Sequence, residues 1–121
     1  MMIPSQTALR WTDHVKIKMR QYRLSESRVK RVMRFPKRLE IGVAENTVAG
    51  MQSAGSKNHP YEIWVMWAQK VKDEKLTVKS KFNFFGGEIV IISAWRYPGV
   101  SPIHEPPPIP EEVWEILTKN S

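Results

Sequence analysis

Two segments of this chain are apolar on both of their alternating faces, and that property restricts the architecture more than any other. In YEIWVMWAQKV, residues 61–71, Tyr61, Ile63, Val65 and Trp67 fall on one face of an extended strand and Trp64, Met66 and Ala68 on the other. EIVIISAWRY, residues 88–97, repeats the pattern. Ile89, Ile91, Ser93, Trp95 and Tyr97 alternate there with Val90, Ile92, Ala94 and Arg96. A strand of this kind lies in the middle of a covered sheet. Pro98 and Gly99 stop the second strand directly after Trp95, Arg96 and Tyr97, so its end is a place to look for function.

The flanking segments supply the cover. Thr12 is a suitable N-cap for a helix in which Val15, Met19 and Tyr22 recur at helical spacing. Ahead of it, ALRW (residues 8–11) reads as a short edge strand. Ser25 caps a second helix with a buried stripe of Val29, Val32 and Met33, and Pro36 ends it, because the residue before proline is pushed out of helical geometry. The two helices are joined by almost nothing, so a helical hairpin is expected. RLEIGVAENTVAGMQS (residues 38–53) reads as strand, turn, strand, and SAGSKNHP (residues 53–60) as a loop. A Pro-rich connector follows Gly99. Pro110, then Glu111 and Glu112 at the positive end, open a short terminal helix with Val113, Ile116 and Leu117 on one face.

The expected fold is therefore α+β: an N-terminal helical hairpin packed on one face of an antiparallel sheet of about four strands, with a short C-terminal helix. Residues 1–99 form one domain in this reading, with 72–87 a hairpin insertion, and residues 100–121 are the connector and terminal helix. No apolar run approaches the roughly 20 residues that span a bilayer, and no N-terminal segment resembles a secretory signal. With no cysteine in the chain, thiolate and disulfide chemistry are excluded. A cytoplasmic location and no membrane association are expected.

The formal charge of +7 is concentrated at one end. Residues 1–38 carry eleven Lys or Arg against two acids, a local +9, whereas residues 105–121 carry four Glu against one Lys, a local −3. A cationic segment of this density points to a polyanion, RNA or DNA, as partner. The alternative is a solvated helical face that keeps the protein soluble. Arg20, Arg28, Arg31 and Arg34 are the candidate RNA-binding residues.

Among residues that carry chemistry, the three histidines lack the paired spacing of a zinc or iron site, and no Gly-rich loop opens a helix to cradle phosphate. No metal or cofactor is expected. The acid–base set that stands out is His14, Lys18, Arg20 and Arg96, with Tyr97 adjacent. His14 and Lys18 are one helical turn apart and share a face, at the margin of the Val15–Met19 stripe. His14 is either a structural side chain or a general acid or base with a pKa near neutrality. An Arg beside a Tyr at a strand end suits nucleic acid, the guanidinium taking phosphate while the ring stacks on a base. Alternation alone leaves open which sheet face Arg96 occupies.

The stretch HVKIKM (His14, Val15, Lys18, Met19), then LSESRV (Leu24, Ser25, Val29), then IISAWRYPG resembles a widespread prokaryotic family of unknown function. That family has a His-Ala-x-x-Arg-Met helix, an (Ile/Leu)-Ser-x-x-x-Val helix and a final Ile-(Ser/Thr)-Ala-(Tyr/Trp) strand. Val15 stands for the usual Ala and Lys18 for the usual Arg, and the match spans about residues 8–99. The family is similar in element order to the RelE-like toxins of the barnase–EndoU–colicin–RelE fold, whose members are metal-independent ribonucleases. The resemblance implies a curved antiparallel sheet that carries the active site, and the leading expectation is RNA cleavage by attack of the 2′-hydroxyl on the adjacent phosphate. Carried over, His14 is the acid or base, Arg96 and Lys18 stabilise phosphoryl charge, Tyr97 stacks or shares a proton, and Ser93 binds phosphate or orients His14. An acidic antitoxin would be the protein partner. A non-catalytic RNA- or DNA-binding module and a protein-interaction domain are the alternatives.

Overall fold

The computed structural model describes residues 8–41, 46–70, 88–103 and 105–119. In chain order these form β1 (Ala8–Trp11), α1 (Asp13–Tyr22), α2 (Glu26–Arg34), β2 (Arg38–Ile41), β3 (Thr47–Gly55), β4 (Pro60–Lys70), β5 (Glu88–Pro98) and α3 (Glu111–Lys119). The fold is α+β, with these three helices on a five-stranded mixed sheet of order β1-β5-β4-β3-β2. The additional strand is β1, the ALRW segment, which pairs parallel to β5 from Ala8↔Glu88 to Trp11↔Ile91. No tight turn joins these two strands, so the antiparallel sense that hairpins impose on β2–β3 and β3–β4 does not bind them. The expected insertion at 72–87 lies outside the described residues.

Both middle strands are covered on both faces. Val15, Met19, Leu24, Val29, Val32 and Met33 from α1 and α2 pack on Val48, Ile63, Val65, Trp67, Ile89, Ile91 and Ala94. On the other face Val113 of α3, with Ile109 and Leu117, packs on Ala49, Met51, Trp64, Met66 and Trp95. The expectation of helices on a single face is thereby corrected, because Trp64 and Trp95 need a cover of their own. Trp64 and Trp95 are cross-strand partners whose rings stack with centroids 6.1 Å apart and planes 3° apart. The expected hairpin is met only loosely: α1 packs on β5, and α2 on β3 and β4. Strand β3 also runs to Gly55, so the loop before β4 is shorter than the composition suggests. Gly55 has φ of 82°, and a Cβ there would lie 2.3 Å from the His59 carbonyl oxygen, so only glycine fits this turn.

One hydroxyl joins three of these elements. Thr12 ends β1 and caps α1: its Oγ1 accepts from Val15 N at 3.1 Å. The same hydroxyl donates toward the carbonyls of Ile91 and Ile92, each at 3.1 Å. Those carbonyls flank a bulge, for Trp67 pairs with Ile91 and Met66 with Ser93, leaving Ile92 unmatched. The extra residue resets the alternation of β5. Ile89, Ile91 and Ala94 face the α1–α2 layer, whereas Trp95 and Tyr97 face α3. Thr12→Val keeps the branched shape but loses the cap and both carbonyl contacts. It should lower unfolding free energy in urea by about 1–3 kcal/mol, with Thr12→Ser close to wild type.

Candidate functional site

Helix α1 packs against β5, and its register decides what it presents there. Val15 and Met19 enter the first core cluster, so His14 and Lys18, one position earlier in each turn, are rotated toward α3. His14 Nε2 lies 3.0 Å from Ser93 Oγ, and Ser93 is fully buried. Lys18 Nζ donates to Glu112 Oε1 of α3 at 2.8 Å and to Gln21 Oε1 at 3.1 Å. Partial burial, and then the Lys18 charge, hold the His14 pKa below its usual 6.5, with Glu112 opposing them. The imidazole is thus predominantly neutral near pH 7. The bond from Lys18 is the main reason that the Glu112 carboxyl titrates below its usual 4.5.

The other two residues of the proposed catalytic set sit differently. Arg96 is exposed, and its guanidinium carbon lies 5.0 Å from the Tyr61 ring centroid. Strand alternation past the bulge puts Arg96 on the face opposite Ser93, Trp95 and Tyr97. Tyr97 is half-buried and packs against the cluster that holds Trp64 and Trp95. His14, Ser93 and Lys18 therefore share one side of β5 with Tyr97, and Arg96 projects from the other.

The candidate RNA-binding cations lie on the outer surface of α1 and α2. Arg20, Arg31 and Arg34 are exposed, as are Lys16 and Arg23, and none of these five has an ion-pair partner among the described residues. Arg28 is half-buried, with its Nε buried and without a hydrogen-bond partner. Between these helices and the end of β1 is an open cleft of about 430 Å³, lined by Trp11, Lys16, Met19, Arg20, Arg23, Leu24, Ser25 and Glu26. Arg23 is the C-cap of α1 at φ 56°, a left-handed conformation that costs glycine least. No sequence pattern marks Arg23, since its distinguishing feature is this backbone angle.

A second group also went unnoticed: Glu62, Arg38 and Ser101. Glu62 is 1% exposed. Its Oε1 accepts from Trp64 Nε1 at 3.0 Å and from Ser101 Oγ at 2.5 Å, and its Oε2 from Ser101 N at 3.1 Å. Arg38 donates to Glu40 Oε1 at 2.7 Å, to Ser101 Oγ and the Pro102 carbonyl at 3.2 Å, and to the Glu105 carbonyl at 2.6 Å. Its guanidinium lies 5.3 Å from the Trp64 ring centroid. Carboxylate and guanidinium are thereby committed to pinning the connector across the sheet, which delivers α3 to its face. The signal was a single acid inside an otherwise apolar strand.

Among the described residues no group of three His, Cys, Asp or Glu is placed to hold a metal ion, and no helix is long and apolar enough to cross a membrane. No protein-family model, curated protein or solved structure matches this chain.

A depressed histidine pKa means that the unfolded chain takes up this proton more readily than the folded protein. The fold keeps its full stability above pH 6.5 and loses part of it as pH falls through 6.5 toward the lower folded value. The contribution of Glu112 is lost separately, below pH 4.5. An NMR titration should place the His14 midpoint below 6.5. Lys18→Met should raise it, since the variant removes a repelling cation and frees Glu112, and His14→Gln should flatten urea stability between pH 6.5 and 5.5.

Proposed function

We propose that this protein is a nucleic-acid-binding module, with RNA the expected polyanion, and that it binds through the outer surface of α1 and α2. The observation that carries the reading is the disposition of charge. Most described cations elsewhere are committed to folding contacts: Lys18 to Glu112, Arg10 to Glu88, Lys37 to Ser53, Arg38 to Glu40 and the connector, and Arg96 to the Tyr61 ring, whereas Lys57 is a single exposed cation in the turn before β4. Lys16, Arg20, Arg23, Arg31 and Arg34 have no such partner among the described residues, and they project from helices whose apolar positions face the sheet. Such a surface gathers phosphates by releasing their counterions.

Five phosphate contacts give a slope of log affinity against log salt of about −3.5 on a single strand. Fluorescence anisotropy with a short single-stranded RNA should therefore show binding weakened roughly 100-fold between 50 and 200 mM salt. The Arg31→Glu/Arg34→Glu variant should reduce the slope by about 1.4 and weaken binding more than ten-fold at low salt. Salt-independent binding, or equal binding by the variant, would refute the assignment.

A second reading, metal-independent RNA cleavage of the RelE type, is favoured by one contact, the His14–Ser93 pair with its neutral imidazole. His14 would serve as base or acid, with Lys18, Ser93, Tyr97 and Arg96 in the supporting roles. Against it stand the pairing of Lys18 with Glu112 and the position of Arg96 across the strand. Incubation with RNA in EDTA separates the two. Intact RNA that remains bound supports the module, whereas cleavage abolished by His14→Ala and by Arg96→Ala establishes the nuclease.

A further inference from the structure

The cleft beside Arg23 has a composition that the cationic surface as a whole lacks. Its apolar lining is Trp11, Met19 and Leu24; its cationic lining is Lys16, Arg20 and Arg23. Met19 and Leu24 belong to the core and are nearly buried, which makes them fixed supports, while Trp11 is half-buried and packs its inner side on the same cluster. A volume of about 430 Å³ lies within the ordinary range for small-molecule sites. A surface that attracts phosphate by charge alone needs no indole and no apolar floor. A ligand that is both planar and anionic uses all of them.

From this cleft we infer a subsite for one nucleotide unit of a single strand, with the base against Trp11 and the phosphate held by Arg20, Arg23 and Lys16. The inference rests on the reading of the α1–α2 surface as an RNA-binding face and adds its ligand unit. Stacking of a base on an aromatic ring is tolerant of sequence, and guanidinium groups hold phosphate oxygens bidentately. The lining also contains one carboxylate, Glu26, which repels a bare or highly charged phosphate but accepts from the N–H groups of a base.

The backbone at Arg23 adds a separate observation. Its φ of 56° is required because the N–H groups of Arg23 and Leu24 turn back to the Arg20 and Met19 carbonyls, closing the helix and seating Leu24 in the core. Glycine adopts this conformation without strain, and arginine does not. A cation at a helix C-terminus gains from the helix dipole, but by less than the left-handed conformation costs a non-glycine residue. The turn alone therefore favours glycine, and a phosphate in the cleft supplies a further reason for the cation.

The test uses the full chain and three probes: a nucleoside 5′-monophosphate, the matching nucleoside and inorganic phosphate. The Trp11 indole N–H resonance, identified by its loss in Trp11→Phe, is followed by NMR. The monophosphate should shift it saturably, with nucleoside and phosphate each at least about ten-fold weaker. Arg23→Gly should abolish the shift without lowering the melting temperature, which separates a binding role from a structural one. Equal affinity for inorganic phosphate, or an unchanged monophosphate shift in Arg23→Gly, overturns the subsite. Salt-dependent RNA binding in wild type, with no monophosphate binding, defeats the subsite and leaves the broader surface standing. Loss of RNA binding in wild type defeats both.

Discussion

Trp64 and Trp95 on one face of the sheet, and Trp67 with Ile91 on the other, must all be kept from water. Each buried tryptophan contributes several kcal/mol at about 25 cal/mol per Å² over roughly 200 Å², so neither face can be left open. That constraint explains why the chain does not stop at β5. A two-layer sandwich would satisfy α1 and α2 but strand the Trp64–Trp95 stack. The connector and α3 return over that face, tied down by the buried Glu62 and by Arg38.

Covering both faces also sorts the charges. The ties consume Lys18, Arg38, Glu62 and Glu112. Most described cations that have no such task lie on the outer surface of α1 and α2, and the cleft at Trp11 lies within that surface. Division of labour between the two sides of the protein follows: one side holds the tail, and the other presents charge. His14 belongs to the first side, packed between β5 and the influence of α3, which explains both its contact with Ser93 and its lowered pKa.

Much of this frame was legible in the residues. Thr12 and Ser25 each cap the helix expected of them, because a hydroxyl just ahead of an apolar helical stripe has one favourable use. The doubly apolar strands are central, and Trp95 is core. What could not be read was the bulge at Ile92, since IIS contains no glycine or other mark of an extra residue. Without it, strict alternation links Ser93, Trp95 and Tyr97 to Ile91, and the actual faces are divided between the two layers. The Glu62–Ser101–Arg38 ties join residues far apart in sequence, and no local pattern announces such a pairing. Arg23 was passed over because its special feature is a backbone angle.

The claim that nucleic acid meets the α1–α2 surface is tested most directly by mapping amide chemical-shift changes as a short single-stranded RNA is added. The account predicts saturable changes concentrated in residues 11–34, with the amides of Ser101, Glu112 and Val113 unmoved. Changes centred instead on Ser93 and α3, or no changes at low salt, would contradict it.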